Sequence, residues 1–286
     1  MLLILSAIWG SAFIAIKVSL EYFAPVSVAS YRLIIASIFL LIFYIIGQYK
    51  TLLSKKDLLM LIFVGVVGNF LPFYLISWSE QFIQSSTAGI LMGIGPILTL
   101  VLSHFLTKDD KINSVKLISI IVGFIGVLFI FEIDSLFSFQ SSNSLQLISK
   151  FLIIIAALGY MISNIVAYNT LKHIDSFSIT FFATLFGALI SIPFLIFSEF
   201  NQPSYFSIKS ILPILYLGIF PTALAFQLRY HITKTSGPVF LSYVAYLIPI
   251  FALIWGFILL SEKIYFSSIV GITLILIGVF IGRKNQ

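Results

Sequence analysis

Cysteine is absent from this 286-residue sequence, and charged residues make up only 9% of it. Without cysteine the chain has no disulfide, no thiolate metal ligand and no cysteine nucleophile. A soluble domain carries about 25% charged and about 45–50% apolar residues. This chain is 60% hydrophobic, with a mean hydropathy of +1.14. The composition therefore excludes an ordinary soluble enzyme and predicts a membrane protein.

Ten segments of the sequence are long and apolar enough to cross a bilayer. A helix that spans the hydrocarbon core needs about 20 mostly apolar residues. The segments that meet this length are residues 2–20, 28–47, 58–78, 83–105, 114–131, 148–168, 177–198, 209–230, 237–260 and 266–282. They leave short connectors, so the sequence predicts an all-α integral membrane protein with ten transmembrane helices.

The basic residues indicate how these helices are oriented. The net charge is +6 and the pI is about 9.4, but the bases lie mainly between apolar segments, as topology signals do. With a cytoplasmic N-terminus, nine of them fall in cytoplasmic connectors and three in external ones: Lys50, Lys55, Lys56, Lys108, Lys111, Lys172, Lys234, Arg283 and Lys284, against Lys150, Lys209 and Lys263. This bias predicts a multi-pass protein of the cell's inner (cytoplasmic) membrane, in contact with lipid, with both termini cytoplasmic and no nucleic-acid partner.

The second half of the sequence repeats the first. Residues of the first half recur as the same type 153 positions later: Gly65, Phe73, Leu75, Pro96, Ile97 and Leu100 match Gly218, Phe226, Leu228, Pro249, Ile250 and Leu253. We therefore divide the chain into a first five-helix repeat (1–131), a Ser-rich linker (132–147) and a second five-helix repeat (148–286). Because each repeat has an odd number of helices, the two are predicted to cross the membrane in opposite directions.

Inverted repeats are typical of secondary transporters, in which two repeat conformations exchange and open a central site to either side. Prolines mark the predicted walls of that site, because each frees a backbone carbonyl that protein or water must satisfy. Pro72 and Pro96 lie in segments three and four, and Pro221 and Pro249 lie in segments eight and nine. These four segments are the predicted walls, with a simple helix kink as the alternative at each proline.

The N-terminal series of the chain resembles the start of EamA-like proteins of the drug/metabolite transporter (DMT) superfamily: Ile8-Trp9-Gly10-Ser11-Ala12-Phe13, then Lys17, Pro25, Arg32 and Ala36. Three further stretches resemble later motifs of that family: Trp78-Ser79-Glu80-Gln81, Gly95-Pro96 and Leu260-Ser261-Glu262-Lys263. The resemblance covers essentially the whole chain. It implies a permease or exporter of small organic solutes, built from ten helices in two inverted repeats.

The sequence departs from the family at three points. Lys108-Asp109-Asp110-Lys111 stands where the family usually has Gly-Glu followed by a base. In the second repeat, Leu158 occupies the position of Trp9 and Phe181 that of Arg32. Trp9 and Arg32 therefore have no counterparts of the same type in the second repeat.

Seven side chains are predicted to bind the substrate: Trp9, Asn69, Phe73, Tyr74, Asn164, Gln227 and Tyr246. The polar ones must be hydrogen-bonded at membrane depth, either to a neighbouring helix or to substrate and water. The aromatic ones serve packing equally well, since the chain has 13 Tyr and 30 Phe.

Three charged residues near helix ends have two interpretations each. Lys17 and Arg32 either extend to the membrane interface, which we favour, or attract an anionic group of the substrate. Glu80 is interpreted as a loop charge, with a role in coupling as the alternative. The apolar segments contain no Asp or Glu near their midpoints, which favours facilitated diffusion or exchange over proton coupling.

The predicted function is a secondary transporter that moves a small organic metabolite, such as an amino acid or a related solute, by alternating access. We predict that the protein is not an enzyme, needs no cofactor and binds no metal. A homodimer is compatible with this prediction. His104, His173 and His231 form no ligand-spaced cluster, and no phosphate-binding loop is present. The alternatives are a noncatalytic membrane partner subunit and an intramembrane enzyme, for which we find no acid–base or nucleophile constellation.

Overall fold

The computed structural model describes residues 1–108, 111–130, 144–202, 204–260 and 266–283, and their secondary structure is helical. The helices of the first half are α1 (Leu2–Ser19), α2 (Pro25–Ile46), α3 (Lys55–Gly65), α4 (Leu71–Ser79), α5 (Ser85–Met92), α6 (Gly95–Leu106) and α7 (Ser114–Ile130). Those of the second half are α8 (Ser144–Thr170), α9 (Ser176–Asn201), α10 (Ile208–Leu217), α11 (Ala225–Ser242), α12 (Val244–Leu260) and α13 (Phe266–Arg283).

Six helical stretches are long and apolar enough to cross a membrane: Leu2–Ser19, Pro25–Ile46, Lys55–Ser79, Ser144–Thr170, Ser176–Asn201 and Ile208–Ser242. Three shorter apolar helices accompany them: Gly95–Leu106, Ser114–Phe129 and Ile269–Gly282. Each of the ten predicted segments overlaps helical structure. Of the predicted linker, residues 132–143 lie outside the described residues, and its last four residues belong to α8. Asp109, Asp110 and Ser261–Lys263 also lie outside them.

Local sequence signals begin several of these helices. Ser54 and Asp57 form a reciprocal capping box at the start of α3, and Asp175 caps α9 by accepting the backbone N–H of Ser178. Pro25 begins α2, where its missing N–H costs no helix bond. One break interrupts α11 at Gly237, whose φ of 82° is readily adopted only by glycine.

In each half of the chain, one π-helical segment interrupts a long helix. The first, Val66–Phe70, joins α3 to α4, and the second, Gly218–Leu224, joins α10 to α11. Shifted by the 153-residue offset of the sequence repeat, the first segment falls inside the second. Pro72 follows the first segment by two residues and Pro221 lies inside the second, and neither proline can donate to the carbonyl four residues earlier.

Glycines allow close contacts between helices of the two halves. A Cβ on Gly65 would lie 2.4 Å from the backbone oxygen of Ala183, so α3 and α9 meet backbone to backbone. A Cβ on Gly218 would lie 2.5 Å from the Ile35 side chain on α2. In a third contact, a Cβ on Gly126 of α7 would lie 2.6 Å from the backbone oxygen of Gly271 on α13. Small residues at such contacts are typical of helix packing in membranes.

Candidate functional site

A cavity is lined by helices of both halves of the chain. It encloses about 870 Å³ of empty space, its open mouth included. Most of its wall is apolar, with Trp9 and Phe13 on α1, Phe73 on α4 and Ile248 on α12. Its polar lining residues are few: Arg32, Thr99, Tyr160, Asn164, Arg229 and Ser242. A largely apolar pocket with a few convergent polar groups is the usual form of a small-molecule site.

Arg32, on α2, is the first of two arginines in the cavity wall and is only 3% exposed. Its Nε donates to Thr222 Oγ1 over 3.0 Å. Its guanidinium carbon lies 3.6 Å from the centroid of the Phe73 ring, which is a close cation–π contact. Both Nη groups lack a hydrogen-bond acceptor among the described residues, so their donors remain available to a ligand.

Arg229, on α11, is the second arginine and is fully buried. Its Nε donates to Asn164 Oδ1 over 2.7 Å, and its Nη1 donates to the Gly68 carbonyl over 3.1 Å. Its Nη2 donates to Ser163 Oγ over 2.9 Å and to the Tyr160 carbonyl over 3.5 Å. Most N–H donors of Arg229 are therefore hydrogen-bonded within the protein, and the side chain joins α8 to the first π-helical segment.

Pro72 and Pro221 explain which groups of the π-helical segments accept hydrogen bonds from the two arginines. Pro72 has no N–H for the carbonyl of Gly68, four residues earlier, and Arg229 Nη1 donates to that carbonyl instead. Pro221 likewise leaves the carbonyl of Leu217, which accepts Thr222 Oγ1–H over 2.7 Å. Thr222 in turn accepts from Arg32. Each arginine thus stabilises the π-helical segment of the opposite half.

Three of the seven predicted site residues line this cavity: Trp9, Phe73 and Asn164. Trp9 Nε1 donates to the Pro221 carbonyl over 3.0 Å, which fixes the indole against the second π-helical segment. The Phe73 ring contacts the Arg32 guanidinium and also the ring of Phe226, whose centroid is 5.6 Å away. The four prolines predicted to mark the walls lie in helices that contribute lining residues.

The other four predicted residues, Asn69, Tyr74, Gln227 and Tyr246, are outside the described lining. Asn69 is fully buried, and neither atom of its amide has a partner among the described residues. Gln227 accepts from Thr180 over 3.0 Å and so connects α11 to α9. Tyr246 donates to the Ile120 carbonyl over 2.9 Å, against α7.

The charged residues near the helix ends differ in their surroundings. Lys17 is exposed, whereas Arg32 is buried in the cavity wall, so the expectation that both reach the interface fits Lys17 alone. Glu80, in the turn after α4, was expected as a loop charge, but it is only 4% exposed. Burial raises the pKa of its carboxyl to about 8, although a hydrogen bond from Ser85 and the charges of Lys17 and Arg32 lower it.

Arg229 is the residue that sequence reasoning missed. A charged side chain inside the apolar stretch Ile208–Ser242 was the available signal, since an ionisable residue at membrane depth indicates function by default. Tyr160, on α8, also lines the cavity. No group of three or more His, Asp or Glu side chains occurs among the described residues that could hold a metal ion.

Comparisons with known proteins identify the family of the chain. The model of the EamA-like transporter family matches residues 1–132 and 147–282. The uncharacterized transporter YetK of Bacillus subtilis is 31% identical, over 98% of this chain and 85% of that protein. The uncharacterized transporter YoaV of the same organism is 26% identical, over 96% and 92%. A solved crystal structure superposes with a TM-score of 0.79 at 14% identity, covering 100% of this chain and 98% of that one, and so shares the fold.

Proposed function

Because the chain belongs to the EamA-like transporter family, we propose that it carries a small organic metabolite, such as an amino acid or a related solute, across the cytoplasmic membrane by alternating access. One observation carries this proposal: a cavity of small-molecule size has walls from both halves of the chain, and each of its two arginines donates a hydrogen bond to the π-helical segment of the opposite half. A site between two repeats is where alternating access places a substrate.

The proposed architecture is ten transmembrane helices in two inverted repeats, with both termini in the cytoplasm. Its support is the 153-residue offset, which relates both the sequence matches and the two π-helical segments, and the excess of bases in one set of connectors. Large apolar side chains on the outer surface, such as Phe105, Phe197 and Phe200, are at least 74% exposed and suit a lipid environment.

Within the proposed site, Trp9 and Phe73 provide flat apolar surface and Asn164 provides an amide. Interruption of the helices by π-helical segments gives the halves a place to bend, since irregular backbone at membrane depth is tolerated where it lines a cavity. Movement there would break and remake the contacts of Arg32 and Arg229 with the opposite half.

Counterflow in proteoliposomes tests the transport function. Vesicles containing the purified protein are preloaded with pools of unlabelled amino acids, organic acids without an amino group, nucleobases or cationic drugs, and entry of a labelled member of each pool is followed. We expect one pool to drive transient accumulation of its tracer. The variant Trp9→Ala should lose it, because it removes the indole from the cavity wall.

Trp78→Ala is the matched control. Trp78 is half-buried and packs on Phe82, with a centroid distance of 4.7 Å, outside the described cavity lining. It should retain counterflow. If no pool supports accumulation by folded protein, or if both variants behave alike, the transport proposal or its placement in this cavity is wrong.

A further inference from the structure

The charges in the cavity wall are of one sign. Arg32 and Arg229 line the cavity, and its described lining contains no Asp or Glu. Neither arginine forms an ion pair with a carboxylate in the part of the chain that the structure describes. Glu80, outside the lining, lies close enough for its charge to interact with that of Arg32, but the two form no ion pair among the described residues. Burying the two guanidinium groups is costly, and an anionic group on a ligand would offset that cost.

The two arginines are prepared for different tasks. Arg229 is held by four hydrogen bonds to Asn164, Gly68, Ser163 and Tyr160, so its charge is fixed in place. Arg32 is held through Nε alone, by Thr222, and by stacking on Phe73. The two free Nη groups of Arg32 form the edge of a planar fork that matches the two oxygens of a carboxylate.

The remainder of the wall indicates the rest of the ligand. Beside Arg32 the lining is aromatic and aliphatic: Trp9, Phe13, Ile16, Phe73 and Ile76. These surfaces favour an apolar body. A ligand ammonium group would find no carboxylate in the described lining, and it would be repelled by two guanidinium groups.

We propose that the cavity binds small organic carboxylates with an aromatic or branched aliphatic body, that Arg32 is the residue that holds the carboxylate, and that Arg229 supplies a second, fixed positive charge. This inference rests on the proposed transport function and makes organic acids, rather than amino acids, its preferred substrates. Acids without an amino group bind more tightly than the corresponding amino acids, and amines are rejected.

A binding measurement tests this inference without requiring transport. The chain has three tryptophans, so Trp78→Phe combined with Trp255→Phe leaves Trp9 as a fluorescent reporter in the cavity wall. Purified protein with this background is titrated with 3-phenylpropanoate, its neutral amide, phenylalanine and 2-phenylethylamine. 4-Methylpentanoate and its amide provide a second, aliphatic pair.

We expect each carboxylate to change Trp9 fluorescence saturably and to bind at least about tenfold more tightly than its amide, as loss of a charge-assisted bidentate hydrogen bond predicts. Phenylalanine should bind more weakly than 3-phenylpropanoate, and 2-phenylethylamine most weakly. Amides that bind as tightly as their acids, or an amine that binds best, would overturn the proposal.

Variants separate the role of Arg32 from a general effect of charge. Arg32→Gln should lower carboxylate affinity at least about tenfold, and Arg32→Lys should recover part of it because it keeps the charge without the fork. Lys209→Gln removes an exposed cation outside the described lining and should change nothing. Should Arg32→Gln fail to fold, the acid–amide comparison on the parent protein still tests the ligand class, and Arg32→Lys still tests the role of the Arg32 fork.

Two outcomes distinguish this inference from the proposed function. Carboxylate binding by a protein that shows no counterflow with those acids would retain the ligand class and contradict transport. Counterflow driven by a neutral or cationic solute, with acids and amides binding equally, would retain transport and contradict the anion site.

Discussion

The same substitution at two asparagines should have opposite effects on stability. Leucine has the branching of asparagine and the same number of non-hydrogen side-chain atoms, but it cannot form hydrogen bonds. Asn164 Oδ1 accepts from the buried Arg229 guanidinium over 2.7 Å, whereas both amide atoms of fully buried Asn69 lack a partner among the described residues. Asn164→Leu therefore removes an interaction, and Asn69→Leu removes an unsatisfied group.

The magnitudes follow from these contacts. A hydrogen bond to a charged group contributes about 1.5–3 kcal/mol, so Asn164→Leu should destabilise the fold by about that amount. An unsatisfied buried amide costs about 1–3 kcal/mol, so Asn69→Leu should be stabilising by about 1 kcal/mol or more. Gln227→Leu provides an intermediate case, since it removes hydrogen bonds to the uncharged side chains of Thr180 and Ser176.

Thermal unfolding in detergent, followed by loss of the monodisperse peak on size exclusion, measures the order of the three variants. We expect the midpoint to rise for Asn69→Leu, to fall slightly for Gln227→Leu and to fall most for Asn164→Leu. A fall for Asn69→Leu as large as that for Asn164→Leu would refute the reasoning, because it would mean that the Asn69 amide is satisfied in the folded protein.

Two further predictions concern glycine contacts and pH. Gly65→Ala should lower the unfolding midpoint, because the added Cβ would lie 2.4 Å from a backbone oxygen. Gly95→Ala should keep the fold, because its Cβ meets only the flexible end of the Met161 side chain. Equal falls in the midpoints of the two variants would contradict this. The raised pKa of Glu80 means that the folded state holds more protons than the unfolded state between about pH 4.5 and about 8. Stability should therefore fall as pH rises through that window, by on the order of 4 kcal/mol, and Glu80→Gln should abolish this part of the slope. Midpoints measured at pH 5 and pH 8 that fall equally in both proteins would show that Glu80 is not responsible.

The helices could be predicted from the sequence because long apolar segments have few alternatives in a chain of this composition. Prolines at Pro72 and Pro221 pointed to the helices that the π-helical segments interrupt. The fold-wide family resemblance was confirmed by the family match over both halves.

The faces of the helices were harder to predict. In a soluble helix the polar face identifies the side away from the core, but lipid is as apolar as a protein interior, so an apolar helix gives no such signal. Trp9 and Tyr246 were therefore equivalent on the sequence, yet Trp9 lines the cavity and Tyr246 packs against α7. Arg229 was the stronger signal, because a buried cation requires several partners and so identifies where helices converge.

Alternating access of the cavity is the central claim, and the absence of cysteine makes it directly measurable. Ala245 lines the cavity, whereas Ala29 is fully buried and lies outside its described lining. Each is changed to cysteine, and a membrane-impermeant thiol reagent is applied to right-side-out and inside-out vesicles, with and without a solute that supports counterflow. The account predicts that Ala245→Cys reacts from both sides in proportions that the solute changes, while Ala29→Cys reacts from neither. Reaction of Ala245→Cys from one side alone, whatever solute is present, would contradict it.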